Sequence, residues 1–214
     1  GDRLEGSKLA DENDVLGRQS IPSGFFSNAY SSGFAGSITI TTGSLRISDG
    51  GEISSSSARR AIGYGGLVRI VASGDVIIFG VSLLGATPKA SAIVSNTFTS
   101  GDGGAIEITA DRVQVLDRGL IQTQSEGSGP SGDIRVRARD MDVLGGQVSS
   151  DARAFGAGGT LDIRLTGLLR IARTDPNRFS GLFARTYSAA PGGSILVRAR
   201  NIQIFSMGEI NAGT

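Results

Sequence analysis

The stretch Gly101-Asp-Gly-Gly104-Ala-Ile106-Glu-Ile108 decides the fold, because a Gly-x-x-Gly phrase in it precedes two apolar residues one position apart. The same phrase, or a near relative, occurs six times, and its copies begin near residues 33, 63, 101, 129, 156 and 190. The second glycines of the copies are 27 to 38 residues apart. A period in this range predicts a solenoid or an array, in which no unit can bury its apolar face alone.

Apolar residues alternate with other residues after each phrase. In the third unit Ile106-x-Ile108 is followed by Val113-x-Val115 and then by Leu120-Ile121. A period of two indicates strands with one buried face, and Gly, Ser and Asp separate the runs. Three strands per unit and no helical pattern predict an all-β fold, a parallel β-helix of about six to seven turns of roughly 27–28 residues. A right-handed coil is the default for parallel crossovers.

The repeat argues against two other β folds and leads to two further expectations. A propeller blade needs four strands and usually 40 or more residues, and a sandwich would not repeat its glycines at one phase. We expect the glycines to permit a sharp turn, or a positive φ, at a corner where a Cβ would clash. We also expect one internal column of apolar side chains, formed by Ile106, Ile134, Leu161 and Ile195.

The repeat also defines the domain organisation. Residues 33–214 carry the repeats, and residues 23–30 align without a gap with residues 180–187 of the fifth unit. Residues 1–32 are therefore predicted to form an incomplete N-terminal turn of the same coil rather than a separate domain.

Two units are longer than the others. The additional residues, at 80–91 and 173–181, lie between the second and third strands of their units. They are therefore expected to form a ridge at one corner of the coil. Loops carry binding functions more often than the scaffold beneath them, although corners also tolerate insertions without function. The candidate partner-binding residues in these corner loops are Lys89, Arg173, Asp175, Asn177 and Arg178.

Composition excludes several classes of function. The chain has 21 basic and 20 acidic residues, a net charge of +1, which gives no electrostatic argument for nucleic acid or for a membrane surface. The longest apolar stretch, residues 76–86, is too short to span a bilayer. We therefore expect neither a nucleic-acid partner nor membrane insertion.

The chain also lacks the residues of common catalytic chemistry. It has no His and no Cys, so the commonest general base, thiol catalysis and standard zinc sites are excluded. None of the glycine clusters leads into a helix with Lys-Ser/Thr, as a phosphate loop would. We predict that the chain is not an enzyme and has no cofactor or metal site.

One enzymatic class stays open at this point. Many β-helices cleave acidic polysaccharides with carboxylates and basic residues on the outer face of the coil. The candidates for such chemistry are Asp140, Asp142, Asp162 and Arg164. Glycoside hydrolysis needs two carboxyl groups roughly 5–10 Å apart, which stacked turns can supply.

Charged and polar residues recur at stacked positions. The series Arg69, Glu107, Arg135 and Asp162 predicts ion pairs along the shaft, each typically under about 1 kcal/mol, with an anion-binding stripe as the alternative. The third strands end in polar residues, which either form hydrogen bonds between turns or present a flat polar face to glycans. These polar ends are residues 54–57, 95–97, 122–124, 149–151 and 211.

The repeats resemble those of a known family. Ser180-Gly-Leu-Phe-Ala-Arg-Thr186 followed by Gly192-Gly193-Ser-Ile195-Leu-Val197 is similar to filamentous haemagglutinin-like exoproteins of two-partner secretion systems in Gram-negative bacteria. Gly103-Gly104-Ala-Ile106-Glu-Ile108, running on to residues 116–123, is similar to them too. The resemblance covers most of residues 33–214. It implies a right-handed parallel β-helix, export through an outer-membrane pore, and an adhesin that is extracellular or on the bacterial cell surface.

One landmark of that family is missing. No Asn-Pro-Asn-Leu-like motif of the N-terminal secretion domain occurs, so the resemblance is to the shaft. We therefore predict a non-catalytic structural or adhesive shaft segment of a secreted bacterial surface protein. The partners that this implies are the outer-membrane pore during export and glycans or proteins of host or neighbouring cells.

Exposed strand edges at the ends of a coil also favour end-to-end self-association. The alternatives are a polysaccharide lyase or hydrolase acting on acidic glycans, and the shaft of a phage tail-spike-like appendage.

Overall fold

The structure is a computed structural model that describes residues 23–31, 33–58, 63–85 and 87–214. These residues form strands and turns, arranged in three parallel sheets and one small antiparallel pair. The predicted parallel β-helix with three strands per turn is confirmed, with about six turns. Within the described ranges there is no helix of the length and apolarity needed to cross a membrane.

The strands follow one another in a fixed order around the coil. The N-terminal half contains β1 (Gly24–Phe26), β2 (Ile38–Thr42), β3 (Leu45–Ile47), β4 (Glu52–Ser54), β5 (Leu67–Ala72), β6 (Asp75–Phe79), β7 (Val81–Ser82), β8 (Lys89–Ala90), β9 (Ala92–Val94), β10 (Ala105–Thr109), β11 (Arg112–Leu116) and β12 (Leu120–Ser125). The C-terminal half contains β13 (Ile134–Ala138), β14 (Asp140–Leu144), β15 (Gln147–Ala152), β16 (Thr160–Leu165), β17 (Leu168–Ala172), β18 (Gly181–Phe183), β19 (Ser194–Arg198), β20 (Asn201–Phe205) and β21 (Glu209–Asn211).

Each turn contributes one strand to each of three sheets. The first sheet holds β2, β5, β10, β13, β16 and β19, and the second holds β3, β6, β11, β14, β17 and β20. The third sheet holds β1, β4, β9, β12, β15, β18 and β21. We call the bend between the first and second sheets the first corner and the bend between the second and third sheets the second corner. The third corner leads from the third sheet into the next turn and contains the glycine phrase.

The apolar core is a set of columns that run along the coil. Ile106 lies opposite Ile134, which lies opposite Leu161, which in turn lies opposite Ile195. The first three side chains are fully buried, and Ile195 is partly buried because it belongs to the last turn. The predicted internal column is confirmed, and such burial of branched aliphatic side chains is the main force that stabilises each turn.

The glycine phrases repeat because successive turns approach closely at the third corner. A Cβ built on Gly132 would lie 1.7 Å from the carbonyl oxygen of Gly104, and one on Gly66 would lie 1.9 Å from that of Gly36. The second glycines of the phrases do not have positive φ values, so that part of the expectation is wrong. Glycine is required here because there is no room for a side chain.

Polar residues at the ends of the third strands point inward at the same corner. The hydroxyl oxygen of Ser95 lies 2.6 Å from the Gly66 carbonyl and 2.9 Å from the carbonyl of Ser55 in the preceding turn, and either carbonyl can accept its proton. Ser150 donates to the Gly132 carbonyl at 2.6 Å. Both serines are fully buried, which favours the expectation of hydrogen bonds between turns over that of a flat polar face.

Candidate functional site

The second corner is where the turns differ in length. In turns one, three and six it is a two-residue turn with two consecutive positive φ values. In turn three, Asp117 and Arg118 have φ values of 39° and 71°, and the Gly119 N–H donates to the Leu116 carbonyl at 2.7 Å. This is the geometry of a type I′ turn, which turns the chain in the fewest residues. Turn four is one residue shorter and uses Gly145, with φ 74°, followed by Gly146.

Turn two replaces this short corner by a hairpin. Strands β7 and β8 pair antiparallel, and the N–H of Ser91 donates to the Gly80 carbonyl at 3.0 Å at the base of the hairpin. Leu84, near its tip, is 95 % exposed. The predicted residue Lys89 lies in β8, and its Nζ forms an ion pair with Glu52 Oε2 at 2.9 Å.

Turn five carries the other insertion, a loop of residues 173–180 organised around Asp175. The Asp175 carboxylate accepts the Asn177 N–H at 2.9 Å, and Arg178 Nε lies 3.6 Å from the same carboxylate. The Arg173 guanidinium lies over the Phe179 ring, 4.7 Å from its centroid. Four of the predicted corner residues therefore belong to one internally bonded loop.

A groove lies between the two insertions. Its volume is about 250 Å³, and it is lined by Pro88, Ala90, Arg118, Gly119, Leu120, Gly145, Gln147, Arg178 and Phe179. The short corners of turns three and four form the floor, and the insertions of turns two and five form the two walls. At about 4.8 Å per turn, the strands beneath these walls are about 14 Å apart. The predicted ridge is therefore interrupted, because the two turns between the insertions have no extra residues.

The predicted corner residues have different places around this groove. Arg178 lines it, whereas Lys89 is held by Glu52 and only its neighbours Pro88 and Ala90 line it. Arg173 and Asp175 line a second hollow of about 230 Å³ on the other side of the turn-five loop. Asn177 is exposed on the loop. A binding role for these residues stays a prediction.

Sequence reasoning missed three residues of the groove, namely Arg118, Gln147 and Phe179. Gln147 Nε2 donates to the Phe179 carbonyl at 2.9 Å and so ties the wall to the floor. Arg118 is half-buried and has neither an ion pair nor a ring contact within the described residues. The tripeptide Asp117-Arg118-Gly119 does signal a turn, but its position between two walls follows only from the stacking of four successive turns.

The carboxylates considered for catalysis are all engaged by donors. Asp142 is 2 % exposed and accepts two bonds from Arg170, at 2.7 and 2.9 Å. Asp140 accepts the N–H of Leu168 at 2.8 Å and pairs with Arg139 at 3.0 Å. The contacts with Arg170 and Leu168 join successive turns, as structural ion pairs and hydrogen bonds do.

The third candidate carboxylate, Asp162, lies between two arginines. Arg137 Nη2 is 2.9 Å and Arg164 Nε is 3.0 Å from its carboxylate oxygens. Burial opposes ionisation of Asp162, but the hydrogen bonds from Arg164 and Arg137 hold its pKa below the usual range. This environment keeps the carboxylate charged, whereas a general acid needs a raised pKa.

The predicted charge series stacks as expected but does not pair throughout. Arg69, Glu107, Arg135 and Asp162 occupy one register position on successive turns. Glu107 pairs with Arg69 at 2.7 Å and with Arg135 at 3.7 Å. The pair of Arg135 with Asp162 does not form, because Arg135 contacts Asp133 of its own turn at 2.8 Å.

No ligand set for a metal is found in the part of the chain that the structure describes, since no three acidic side chains there are grouped to hold an ion. Comparisons of the chain with protein-family models, with curated proteins and with solved structures find no match. The resemblance to haemagglutinin-like exoproteins therefore depends on the repeat sequences alone.

Proposed function

We propose that this chain is a non-catalytic shaft segment of a bacterial adhesin at the cell surface, and that it binds its partner in the second-corner groove. The observation that carries this proposal is the placement of the two insertions. They flank a groove at one corner of a coil whose core columns are regular. Loops held by a rigid scaffold are the usual place for recognition.

The ion pairs between turns support a structural role for the surface outside the groove. Asp142, Asp151 and Asp162 each bind an arginine of another turn, namely Arg170, Arg185 and Arg137. Carboxylates that are committed to such pairs are not free to act as acid or base. The frame therefore serves to hold the corner loops, and chemistry on a polysaccharide is not part of the proposed role.

The resemblance of the repeats supports the proposed location and route. Haemagglutinin-like exoproteins pass through a dedicated outer-membrane pore and act outside the cell. We assign the same pore as the partner of this chain during export, and glycans or proteins of host or neighbouring cells as its partners afterwards. A shaft without cysteines suits this route, because no disulfide has to form during export.

The proposal is tested by replacing residues 173–179 with a single glycine, which leaves this glycine and Ser180 as a corner of the same length as that of turn four. We expect the circular dichroism spectrum and a cooperative thermal transition to be retained, because the core columns are untouched. Binding to cells or to a glycan array is expected to be lost. The control is Phe155→Ser, which removes an exposed aromatic side chain from the third corner.

Two outcomes would contradict the proposal. Unchanged cell and glycan binding by the shortened variant would indicate a passive shaft. Turnover of an acidic polysaccharide that is abolished by Asp162→Asn would indicate an enzyme instead.

A further inference from the structure

Arg118 occupies a backbone conformation that side chains rarely adopt. Its φ is 71°, and the equivalent residues of turns one and six are Gly50, with φ 79°, and Met207, with φ 59°. The left-handed region costs a residue with a Cβ roughly 1 kcal/mol or more, and glycine avoids that cost. A strained arginine at the floor of a groove is a reason to look for a function of its side chain.

The side chain of Arg118 is also without a counter-charge. In residues 63–85 and 87–187 every other arginine has an ion pair or lies over an aromatic ring. Arg118 has neither, although it is half-buried in the groove. A guanidinium in such a place is available for an anion, with which it can form two parallel hydrogen bonds.

Neighbouring side chains add a second cation, an aromatic ring and an amide acceptor to the groove. Arg178 lines the same groove, and its ion pair with Asp175 is long, at 3.6 Å, and half-exposed on both sides. Such a pair contributes little and can be exchanged for a ligand. Phe179 is 56 % exposed and offers an apolar ring, while Gln147 retains its amide oxygen as an acceptor because its nitrogen binds the Phe179 carbonyl.

Four backbone donors of the groove floor are already engaged. The N–H groups of Gly119, Leu120, Gly145 and Gln147 donate to carbonyls of Leu116, Ser91, Ala172 and Gly119, respectively. An extended peptide adds to a protein mainly through such backbone groups. Since these four donors are engaged, recognition by side chains is favoured, and with it a saccharide over a peptide strand.

We propose that the groove binds the carboxylate of an acidic saccharide. Arg118 and Arg178 contact the carboxylate, Phe179 packs against the apolar face of the sugar ring, and the Gln147 oxygen accepts a sugar hydroxyl. This inference rests on the proposed function, since it names the ligand class of the same groove. The strands beneath its two walls are only about 14 Å apart, so the groove takes a terminal or short acidic unit.

The test is calorimetric titration of the whole chain with two probes, trigalacturonic acid and sialyllactose. At least one is expected to bind saturably, with an affinity that falls as salt is added. Arg118→Gly is expected to weaken binding at least tenfold, with a thermal midpoint that is unchanged or higher because glycine relieves the strained φ. Arg118→Lys is expected to restore part of the affinity.

The controls separate this site from general charge effects. Arg198→Gln removes an exposed arginine of turn six, far from the groove, and is expected to leave binding unchanged. Neutral lactose is expected not to bind. Tri-aspartate is expected to bind more weakly than the acidic sugars.

Three results would overturn the inference: wild-type affinity in Arg118→Gly, no binding of either acidic sugar, or tri-aspartate binding as tight and as dependent on Arg118. If acidic sugars do not bind but the shortened turn-five variant still loses cell binding, the inference fails and the proposed function stands. If acidic sugars bind through Arg118 but the shortened variant still binds cells, the adhesive role of the groove fails instead.

Discussion

At the scale of single residues, the third corner is limited by the contact of one backbone with the next. Gly132 lies so close to Gly104 of the preceding turn that a methyl group would overlap the Gly104 carbonyl. Gly43, in contrast, has no atom within 4 Å of the position that a Cβ would take. The two glycines therefore differ in the space available for a side chain, and the sequence alone does not distinguish them.

Gly132→Ala is expected to destabilise the coil, because the turn must move away from its neighbour to make room. We expect the free energy of unfolding to fall by about 3 kcal/mol or more, as for severe overpacking of a core. Gly43→Ala is the matched control and is expected to change it by less than about 0.5 kcal/mol. Urea denaturation followed by circular dichroism measures both, and equal stability of the two variants would refute the close-contact explanation.

At the scale of strands, ion pairs connect neighbours of the first sheet. Asp162 of β16 binds Arg137 of β13 and Arg164 of its own strand. Its pKa in the folded state is depressed, so this carboxylate stabilises the fold above its ordinary pKa. That contribution is lost as the pH falls through the ordinary value, near 4, toward the folded one.

The thermal midpoint of the wild type is therefore expected to fall as the pH is lowered below about 4. Asp162→Asn removes the ionisable group, so the variant is expected to be less stable at pH 7 and to show a flatter decline in acid. Asp102→Asn, at an exposed position of the third corner, serves as the control and is expected to behave as wild type. An unaltered acid slope in Asp162→Asn would contradict the assigned role.

The sequence predicts strands better than it predicts side-chain partners. The alternation of apolar residues predicted that Ile134 lies in the core, and the excess length of two units predicted insertions between their second and third strands. Both signals can be read within a single repeat unit. The partner of Asp162 was missed because Arg135 can reach two acids, and the nearer one is in its own turn. The groove was missed for a related reason. Arg118 and Phe179 are 61 positions apart in the chain and meet only because turns three and four are short.

At the scale of the whole molecule, the last turn differs from the interior turns. Ile202 and Ile204 are 48 % and 49 % exposed, whereas their neighbours in turn five, Leu169 and Ile171, are fully buried. In a solenoid each turn is stabilised by its neighbours alone. End-to-end self-association would cover these side chains and stays a prediction.

Hydrogen exchange is expected to follow this gradient. Amides in β13, β14 and β15 are expected to exchange slowly, and those in β19, β20 and β21 to exchange faster, because the last turn can separate from one neighbour without opening the rest. Mass spectrometry of peptides from 134–152 and 194–211, with urea-unfolded samples to correct for intrinsic rates, measures the difference. Equal protection in both segments would show that the coil opens as one unit.

The direction of the inter-turn hydrogen bonds has a mechanical consequence. Each sheet pairs strands of successive turns, so its backbone hydrogen bonds point along the axis of the coil. Tension applied along that axis therefore breaks the hydrogen bonds between one pair of turns at a time. It does not shear the hydrogen bonds of many turns at once. Under force such a shaft lengthens by unfolding one turn at a time. Each unfolding event adds about 27 residues of extended chain, while the remaining turns stay folded.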